Sequence, residues 1–208
     1  MTNWKINPKE NNGNLKNILN KKYGKKEFSM NLRNICLDEF KNEIKRFSSS
    51  LGKVIVVGVN NFAEINLLPD FDQLVGVDLA FNAFDSLKTE RTNILPVIAN
   101  ADSLPMPDNY FDEYCSFRTL FSNHTDLHSS LEEADRVTNK NGKIIISVPN
   151  GYFENNTIIK GMYDYENDFY DEDKPYQYTQ KVISFFEDKK YIVQIVEITS
   201  EILILIQK

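Results

Sequence analysis

The stretch from Lys53 to Asp78 alternates short apolar runs with turn residues, and the rest of the pattern is organised around it. Its first run, Val54 to Val57, has no polar alternation and therefore predicts a strand buried on both faces. Gly58 ends that strand, a short segment with helical spacing follows, and a second apolar run ends at Asp78. Strand, glycine turn, helix, strand and terminal acid form the first half of a nucleotide-binding α/β unit.

The other apolar segments follow the two periods expected of helices and strands. Helical spacing of apolar residues predicts helices over 30–47, 62–68, 81–91, 127–137 and 179–188. Apolar runs predict further strands over 74–77, 95–99, 110–117, 144–148, 191–198 and 202–206. The predicted helix ends are an N-cap at Asp126, an N-cap at Thr179, and closure of the helix over 127–137 by Asn141-Gly142. Residues 199–201 link the last two strands, and so short a link requires an antiparallel hairpin.

Composition indicates a globular protein. The 208 residues are 41% hydrophobic and 26% charged, which suits one domain, or one domain with an arm. The net charge of −6 argues against a nucleic-acid partner. No apolar run reaches membrane length and no signal-peptide core is seen, so we expect a cytoplasmic protein without a membrane partner. Cys36 and Cys115 lie in apolar patterns and are predicted to be buried free thiols.

A basic segment lies at the start of the sequence. Residues 1–27 contain seven lysines and two glutamates, a net of +5. We therefore predict an arm over residues 1–28, followed by a single domain over 29–208. Lysine-rich polar sequence is typical of a solvated arm. The alternative is a flap that folds over a ligand site, with Trp4 and Tyr23 as its anchors.

An acidic, aromatic segment lies near the other end. Residues 162–178 contain six acidic residues and one lysine, a net of −5, together with five tyrosines. They belong to a predicted insertion over 150–178, which is either a solvated loop or a substrate lid. A lid of this kind would suit a cationic substrate, because carboxylates pair with a cation and ring faces attract it. The insertion could also dock on the basic arm, in a contact that salt would screen.

Four motifs follow one another in the order seen in a known enzyme family. They are V-V-G-V-N-N, V-G-V-D-L-A, A-D-S-L-P-M-P-D-N-Y-F-D and E-E-A-D-R-V-T-N-K-N-G. Together they resemble the class I S-adenosylmethionine-dependent methyltransferases of the small-molecule branch, over about residues 50–208. The resemblance implies an α/β fold with a Rossmann-like, mostly parallel sheet of seven strands, an antiparallel C-terminal hairpin strand, and helices on both faces. It also implies S-adenosyl-L-methionine as cofactor and methyl transfer to a nitrogen or oxygen of a small-molecule or peptide substrate.

The resemblance implies cofactor contacts by position. The implied contacts are Gly58, Val59, Asn60, Asp78, Leu79, Ala101, Asp102, Ser103 and Phe117. In this assignment Gly58 belongs to the turn beside the methionine end, Asp78 binds the ribose, and Asp102 meets the adenine edge. The positions of the two aspartates support this, because each follows a predicted strand and ligands of open α/β sheets bind at that edge. The alternative for either one is a loop aspartate that caps a turn.

The segment after the fourth strand is where the chemistry is expected. The resemblance places Arg118, with Phe117, toward the reacting methyl group. His124 is the best placed candidate for a general base toward the acceptor, and the alternative is a surface histidine. His124 and His128 have the i, i+4 spacing of a metal pair, but a metal site would want a third ligand nearby, so we predict no metal.

The glycine turn departs from the family pattern. Val56 stands where the family usually has an acid, and Asn60 and Phe62 replace the second and third glycines. These residues favour an alternative function, a methyltransferase-fold protein without catalysis that acts as a binding or partner subunit. Asp78 and Asp102 favour an enzyme. A NAD-dependent oxidoreductase is the third interpretation, and the missing glycines and the terminal hairpin disfavour it.

Overall fold

The computed structural model describes residues 27–48, 52–59, 65–84, 94–120, 125–149, 174–199 and 201–208. The helices within these residues are α1 (Glu27–Phe47), α2 (Leu127–Val137), α3 (Lys174–Asp188) and the 3-10 segments Ile65–Leu67 and Phe81–Phe84. The strands are β1 (Lys53–Val57), β2 (Gln73–Asp78), β3 (Ile94–Ile98), β4 (Phe111–Phe117), β5 (Thr138–Pro149), β6 (Ile192–Glu197) and β7 (Glu201–Gln207).

The strands form one mixed sheet in the order β3-β2-β1-β4-β5-β7-β6. Strands β1 to β5 pair in parallel, whereas β7 is antiparallel to both β5 and β6. The predicted terminal hairpin is therefore confirmed, and so is the Rossmann-like fold with its mostly parallel sheet. The order of strands reverses between β1 and β4, which is the point where open α/β sheets form a ligand crevice.

Helices cover both faces of the sheet, and each face has its own core. On one face α2 and α3 pack through Leu131 and Phe186. On the other face α1 packs through Phe40 and Ile44, two members of the apolar stripe predicted for this helix. Alternate residues of Val54–Val57 enter the two cores, and each is at most 8% exposed. Burial on both sides explains why this run has no polar position.

Polar contacts fix both halves of α1 to the sheet. The Glu39 carboxylate accepts a hydrogen bond from the backbone N–H of Thr199 at 2.8 Å. After the last turn of α1, the Ser48 hydroxyl donates to the Glu113 carboxylate of β4 at 2.6 Å. Burial raises the pKa of Glu113, whose side chain is 5% exposed. Helix α1 therefore crosses this face of the sheet from the β6–β7 hairpin to the first half of β4.

The prediction that Asn141-Gly142 closes a helix is wrong. Helix α2 ends at Val137, and Thr138 is already extended, with φ −82° and ψ 134°. Gly142 lies inside β5, where an added Cβ would come within 2.5 Å of Thr138 Cγ2 and 3.0 Å of the Asp112 carbonyl oxygen. Glycine is thus needed here for close approach of two strands and not for a left-handed helix end.

The predicted N-cap at Thr179 is also wrong, because α3 begins at Lys174. Pro175 lies in the first turn, where a missing N–H breaks no intrahelical hydrogen bond. Thr179 is fully buried inside the helix, and Tyr176 and Tyr178 pack partly against the core. The last residues of the predicted acidic insertion are therefore helical.

Other predictions have mixed outcomes. The N-cap at Asp126 is confirmed, since its carboxylate accepts from the Ser129 N–H at 2.8 Å. Cys115 is a buried free thiol, as predicted, whereas the side chain of Cys36 lies outside the described part of the chain. The same holds for nearly all of the basic arm and for residues 150–173 of the insertion. None of the helices described here is long and apolar enough to cross a membrane.

Candidate functional site

The candidate site lies at one edge of the sheet, which we call the carboxyl edge because β1 to β5 all end there. The residues at these ends are Val57, Asp78, Ile98, Phe117 and Pro149, together with Glu201, at which the antiparallel strand β7 begins. Loops at this edge bind ligands in open α/β sheets. The sequence-predicted site residues that the structure describes all lie at or just beyond it.

Gly58 makes the tight turn at the end of β1. Its φ of +78° is in the left-handed region that side chains disfavour. An added Cβ would lie 1.9 Å from Thr119 Oγ1 and 2.5 Å from Thr119 Cβ, so the turn has no room for a side chain. Glycine is therefore required twice at this position, by backbone conformation and by space. The glycine turn keeps its conformation at its first position despite the changed residues around it.

Backbone hydrogen bonds join the ends of β1, β2 and β3. The Gly58 N–H donates to the Val77 carbonyl at 2.8 Å, and the Ala99 N–H donates to the Asp78 carbonyl at 3.2 Å. These bonds hold the glycine turn, the acid that ends β2 and the start of the next loop in fixed positions relative to one another. The prediction that the two aspartates follow neighbouring strand ends agrees with this arrangement.

Asp78 and Leu79 present a polar and an apolar group side by side. One carboxylate oxygen of Asp78 accepts from the Ala80 N–H at 2.9 Å, which fixes the side chain over the strand end. Leu79 is 54% exposed, which is a high value for a leucine beside two buried strands. A carboxylate next to exposed apolar surface can bind a ribose hydroxyl and pack against a flat ring.

The loop after β3 carries a second carboxylate. The Asn100 amide donates to Asp102 Oδ2 at 3.0 Å and so orients that side chain. The amide oxygen of Asn100 is buried and has no hydrogen-bond partner in the described part of the chain. Ala101 is buried, whereas Ser103 is exposed. A buried oxygen that lacks a donor is suited to bind an N–H group of a ligand.

Arg136 of α2 clamps this loop. Its guanidinium donates to the carbonyl oxygens of Leu104 at 2.9 Å and Met106 at 2.7 Å, and to the Asp108 carboxylate at 2.6 Å. It also forms a bidentate pair with Glu133 at 2.7 and 2.8 Å, and Glu133 in turn accepts from the Leu104 N–H at 2.6 Å. These bonds lower the pKa of Glu133 and raise the pKa of Arg136. The clamp explains physically why the motif places a glutamate three residues before an arginine.

Arg118, just after β4, is held in an unusual conformation. Its φ of +57° is in the left-handed region, which disfavours residues other than glycine. Its N–H donates to the backbone and side-chain oxygens of Ser147 at 3.1 and 3.2 Å. Its guanidinium pairs with the buried carboxylate of Glu201. The other sequence-predicted residue here, Phe117, is buried against Phe40, with ring centroids 5.0 Å apart.

Some predicted site residues cannot be placed. Asn60 and His124 lie outside the described residues, so their roles stay predictions. Val59 is described and is 2% exposed, which leaves its backbone as the group available to a ligand. Among the residues with described side chains, no three His, Cys, Asp or Glu side chains cluster as a metal site would require.

Sequence reasoning missed three contributors to this edge. Thr119 fills the space beside the glycine turn, Asn100 orients Asp102, and Glu201 pairs with Arg118. An acid at the start of the apolar run 202–206 was the available signal for Glu201, because a charge there must be paired or exposed. No local pattern marks the other two.

Comparison with known proteins now adds to this geometry. Residues 55–146 match the family described as methyltransferase domain. The match spans 92 of the 208 residues. The predicted resemblance to the S-adenosylmethionine-dependent enzymes is therefore confirmed, and the family indicates S-adenosyl-L-methionine as the cofactor. The matched region contains the glycine turn, Asp78, Asp102 and the Glu133–Arg136 clamp.

Related proteins were found by sequence and by structure. This chain is 31% identical over 99 residues to an uncharacterised protein of Methanocaldococcus jannaschii, a match that covers 48% of this chain but only 38% of that protein. A protein of Methanococcus maripaludis proposed to be an S-adenosyl-L-methionine-dependent methyltransferase has a TM-score of 0.64 at 21% identity, over 85% of this chain and 86% of its own. A complex of the Haloferax volcanii Trm112 methyltransferase activator with its proposed methyltransferase gives 0.63 at 14% identity, over 86% and 92%. These two structures share the fold.

The described residues of the domain fit S-adenosylmethionine. Gly58 has no side chain, so its backbone is the group that the turn offers to a ligand at the carboxyl edge. Asp78 offers a carboxylate at the strand end, Leu79 offers exposed apolar surface, and Asn100 offers a buried oxygen without a donor. These groups match a ribose, a purine ring and its amino group. We therefore take them as the residues that would hold the cofactor.

Proposed function

We propose that this protein transfers a methyl group from S-adenosylmethionine to a nitrogen or oxygen of a small-molecule or peptide acceptor. The observation that carries the proposal is the turn at Gly58, which keeps a left-handed φ of +78° although the residues around it depart from the family pattern. The left-handed φ and the packing of Thr119 preserve the shape of the turn at this point. Its hydrogen bond to Val77 at 2.8 Å also fixes it against β2.

Each part of the carboxyl edge has a role in this proposal. The cofactor supplies an electrophilic methyl group on a sulfonium centre. The backbone of Gly58 and Val59 lies against the methionine end, Asp78 binds the ribose, and the loop with Ala101 and Asp102 meets the adenine. The protein mainly positions the acceptor and excludes water, because the reaction is an in-line displacement. His124 stays our candidate for a base toward an acceptor that must lose a proton.

The departures from the family pattern set the expected affinity. Val56 is 1% exposed and lies in the core beneath α1, so position 56 offers no carboxylate to the amino group of the cofactor. We expect the cofactor to be bound by its nucleoside half more than by its methionine half. S-adenosylhomocysteine should then bind about as tightly as S-adenosylmethionine, in the micromolar range.

Calorimetric titration with S-adenosylmethionine and S-adenosylhomocysteine tests the proposal. Wild type, Asp78→Ala and Asp72→Ala are compared, because Asp72 is an exposed aspartate before the opposite end of the same strand. We expect Asp78→Ala to weaken binding at least about 30-fold, as expected for loss of hydrogen bonds to a charged group. Asp72→Ala should bind as wild type does. No binding of either ligand to wild type at millimolar concentration would contradict the proposal.

The alternative function is a methyltransferase-fold subunit without catalysis. The Haloferax volcanii complex supports it to the extent that a protein of this fold is found there with the Trm112 activator. For this chain the discriminating result is a stable complex with a second protein in the absence of any affinity for S-adenosylhomocysteine. Retained affinity for the cofactor would favour the enzyme.

A further inference from the structure

We propose that Glu201, held by Arg118, forms a subsite for the ammonium or amine group of the methyl acceptor. The inference rests on the proposed function and names the chemical class of its substrate. It starts from the Glu201 carboxylate, of which only one oxygen has a hydrogen-bond partner among the described residues. The Glu201 side chain is 2% exposed, and its Oε1 accepts from the Arg118 guanidinium. Its Oε2 is buried and has no hydrogen-bond partner among the residues that the structure describes.

An unpaired carboxylate oxygen in the interior is uncommon. Buried polar groups in folded proteins nearly always have a partner, and an exception calls for an explanation such as a ligand. Bulk solvent does not reach this oxygen. A ligand that reaches it must therefore displace the protein atoms that cover it, and it must offer an N–H or O–H group.

Arg118 is held in a strained backbone conformation and pairs with Glu201. Arg118 has φ +57°, and a left-handed conformation at a long side chain persists only where the surroundings enforce it. Two hydrogen bonds from its N–H to Ser147 enforce it here. The strain turns the arginine toward the first residue of β7, 83 positions later in the sequence. Strained residues of this kind cluster at ligand sites.

The pair lies in the half of the edge that the cofactor residues leave free. Gly58, Asp78 and Asp102 belong to the half made by β1, β2 and β3, on one side of the reversal in strand order. Arg118 and Glu201 follow β4 and begin β7, on the other side of it. A cofactor that spans the first half would bring its reacting end toward the second. The second half is therefore where an acceptor must be held.

The charges around this point favour a cation. The Glu39 carboxylate of α1 accepts from the N–H of Thr199, two residues before Glu201 in the hairpin. The carboxylates of Glu39, Glu197 and Glu201 thus accompany the guanidinium of Arg118 at this end of the hairpin. An ammonium group pairs with a carboxylate in a charge-assisted hydrogen bond, an alcohol forms a weaker bond, and an anion is repelled. We infer that the acceptor is a primary or secondary amine.

Matched amines and alcohols test the subsite. Protein loaded with S-adenosylhomocysteine is titrated calorimetrically with phenethylamine and butylamine, and with their neutral counterparts 2-phenylethanol and 1-butanol. We expect each amine to bind at least about 10-fold more tightly than its alcohol. Glu201→Gln keeps an oxygen for Arg118 and places an NH₂ donor where Oε2 lies. In this variant the preference for amines should fall to within about twofold, with the affinity for S-adenosylhomocysteine unchanged.

A matched control separates the subsite from general charge. Glu39→Gln removes a neighbouring carboxylate whose side chain already has a partner, so it should keep most of the preference for amines. An ion pair that only stabilised the fold would lower the unfolding free energy of Glu201→Gln without changing the preference. Equal binding of amine and alcohol, no binding of either amine, or a preserved preference in Glu201→Gln would overturn the inference.

The comparison in wild type needs no variant, so it decides even if Glu201→Gln does not fold. The two proposals also fail in different ways. Absence of S-adenosylhomocysteine binding removes the proposed function and the subsite with it. Binding of S-adenosylhomocysteine without a preference for amines removes the subsite alone.

Discussion

Replacing Arg136 by methionine should loosen the loop after β3 and weaken cofactor binding. Methionine keeps much of the apolar stem, so the change removes mainly the guanidinium. The bonds lost are those to the carbonyls of Leu104 and Met106, to the Asp108 carboxylate, and to Glu133. The clamp joins α2 to a loop about 30 residues earlier in the chain, so its loss acts on tertiary and not on local structure.

The structure sets the size of the effect. Leu104 is buried, so a carbonyl left without its donor there costs about 1–3 kcal/mol. Water can replace the donor at Met106, which is only partly buried. The pair with Asp108, whose side chain is 67% exposed, contributes at most about 1 kcal/mol. The free energy of unfolding should therefore fall by about 2–4 kcal/mol.

Urea unfolding measures the loss of stability, and calorimetry with S-adenosylhomocysteine measures the effect on the site. We expect the dissociation constant to rise about 10-fold, because the clamped loop holds Ala101 and Asp102. Asp108→Asn is the matched control, since it removes only the exposed pair and should change stability by less than about 0.5 kcal/mol. Arg136→Lys keeps the charge but not the fork of donors, so it should fall between the two.

Two results would refute this reasoning. A loss of less than about 1 kcal/mol in Arg136→Met would mean that the five hydrogen bonds are replaced by water at little cost. A loss of the expected size with unchanged affinity for S-adenosylhomocysteine would mean that the clamp stabilises the fold but does not position the site.

Three further changes test other parts of the structure. Gly58→Ala should abolish S-adenosylhomocysteine binding and destabilise the fold by more than about 2 kcal/mol, because left-handed φ alone costs about 1–2 kcal/mol and Cβ would overlap Thr119. Calorimetric and urea-unfolding curves of this variant that match those of wild type would contradict the prediction. Glu113 has a raised pKa, so its stabilising protonated form is present below pH 4.5 and is lost as pH rises through the folded pKa. Glu113→Gln should thus gain stability relative to wild type from pH 4 to pH 8. A free energy of unfolding of Glu113→Gln minus that of wild type that stays constant or falls as pH rises would refute this. Asp126→Ala should cost about 1 kcal/mol in urea unfolding through loss of the α2 N-cap, and no measurable loss would show that the cap is dispensable.

The sheet could be predicted because its strands are buried on both faces. Parallel strands between two helical layers need apolar residues at most positions, so Val54–Val57 and Ile144–Ile146 stand out as continuous runs. The hairpin followed from chain length alone, because three residues cannot cross a sheet. The placement of Asp78 and Asp102 followed from the same geometry, since the carboxyl ends of parallel strands meet at one edge.

The errors came from residues with more than one structural use. Asn141-Gly142 has the composition of a helix end, but Gly142 serves close packing against the backbone of Asp112. Thr179 has the chemistry of an N-cap, whereas Pro175 marks the true first turn of α3. Which use applies depends on neighbours that are distant in sequence.

The contacts of Arg136 and the Arg118–Glu201 pair could not be predicted from the sequence, for the same reason in both cases. Arg118 and Glu201 meet only because β7 inserts beside β5, and the partners are 83 residues apart. Arg136 could be assigned to a motif, but its partners Leu104 and Met106 bind through backbone carbonyls, which leave no trace in side-chain identity. Contacts of both kinds become visible only in three dimensions.

The position of β7 has a consequence for how the protein is made. β7 is synthesised after the other six strands of the described sheet, yet it lies between β5 and β6 and pairs with both. While residues 201–207 are still inside the ribosome, the edge of β5 that pairs with β7 has no partner strand, and β6 has no strand to pair with. This half of the sheet therefore forms only after β7 has been translated. If translation stalls before β7, the unpaired backbone N–H and C=O groups of β5 and β6 remain exposed and can pair with other nascent chains.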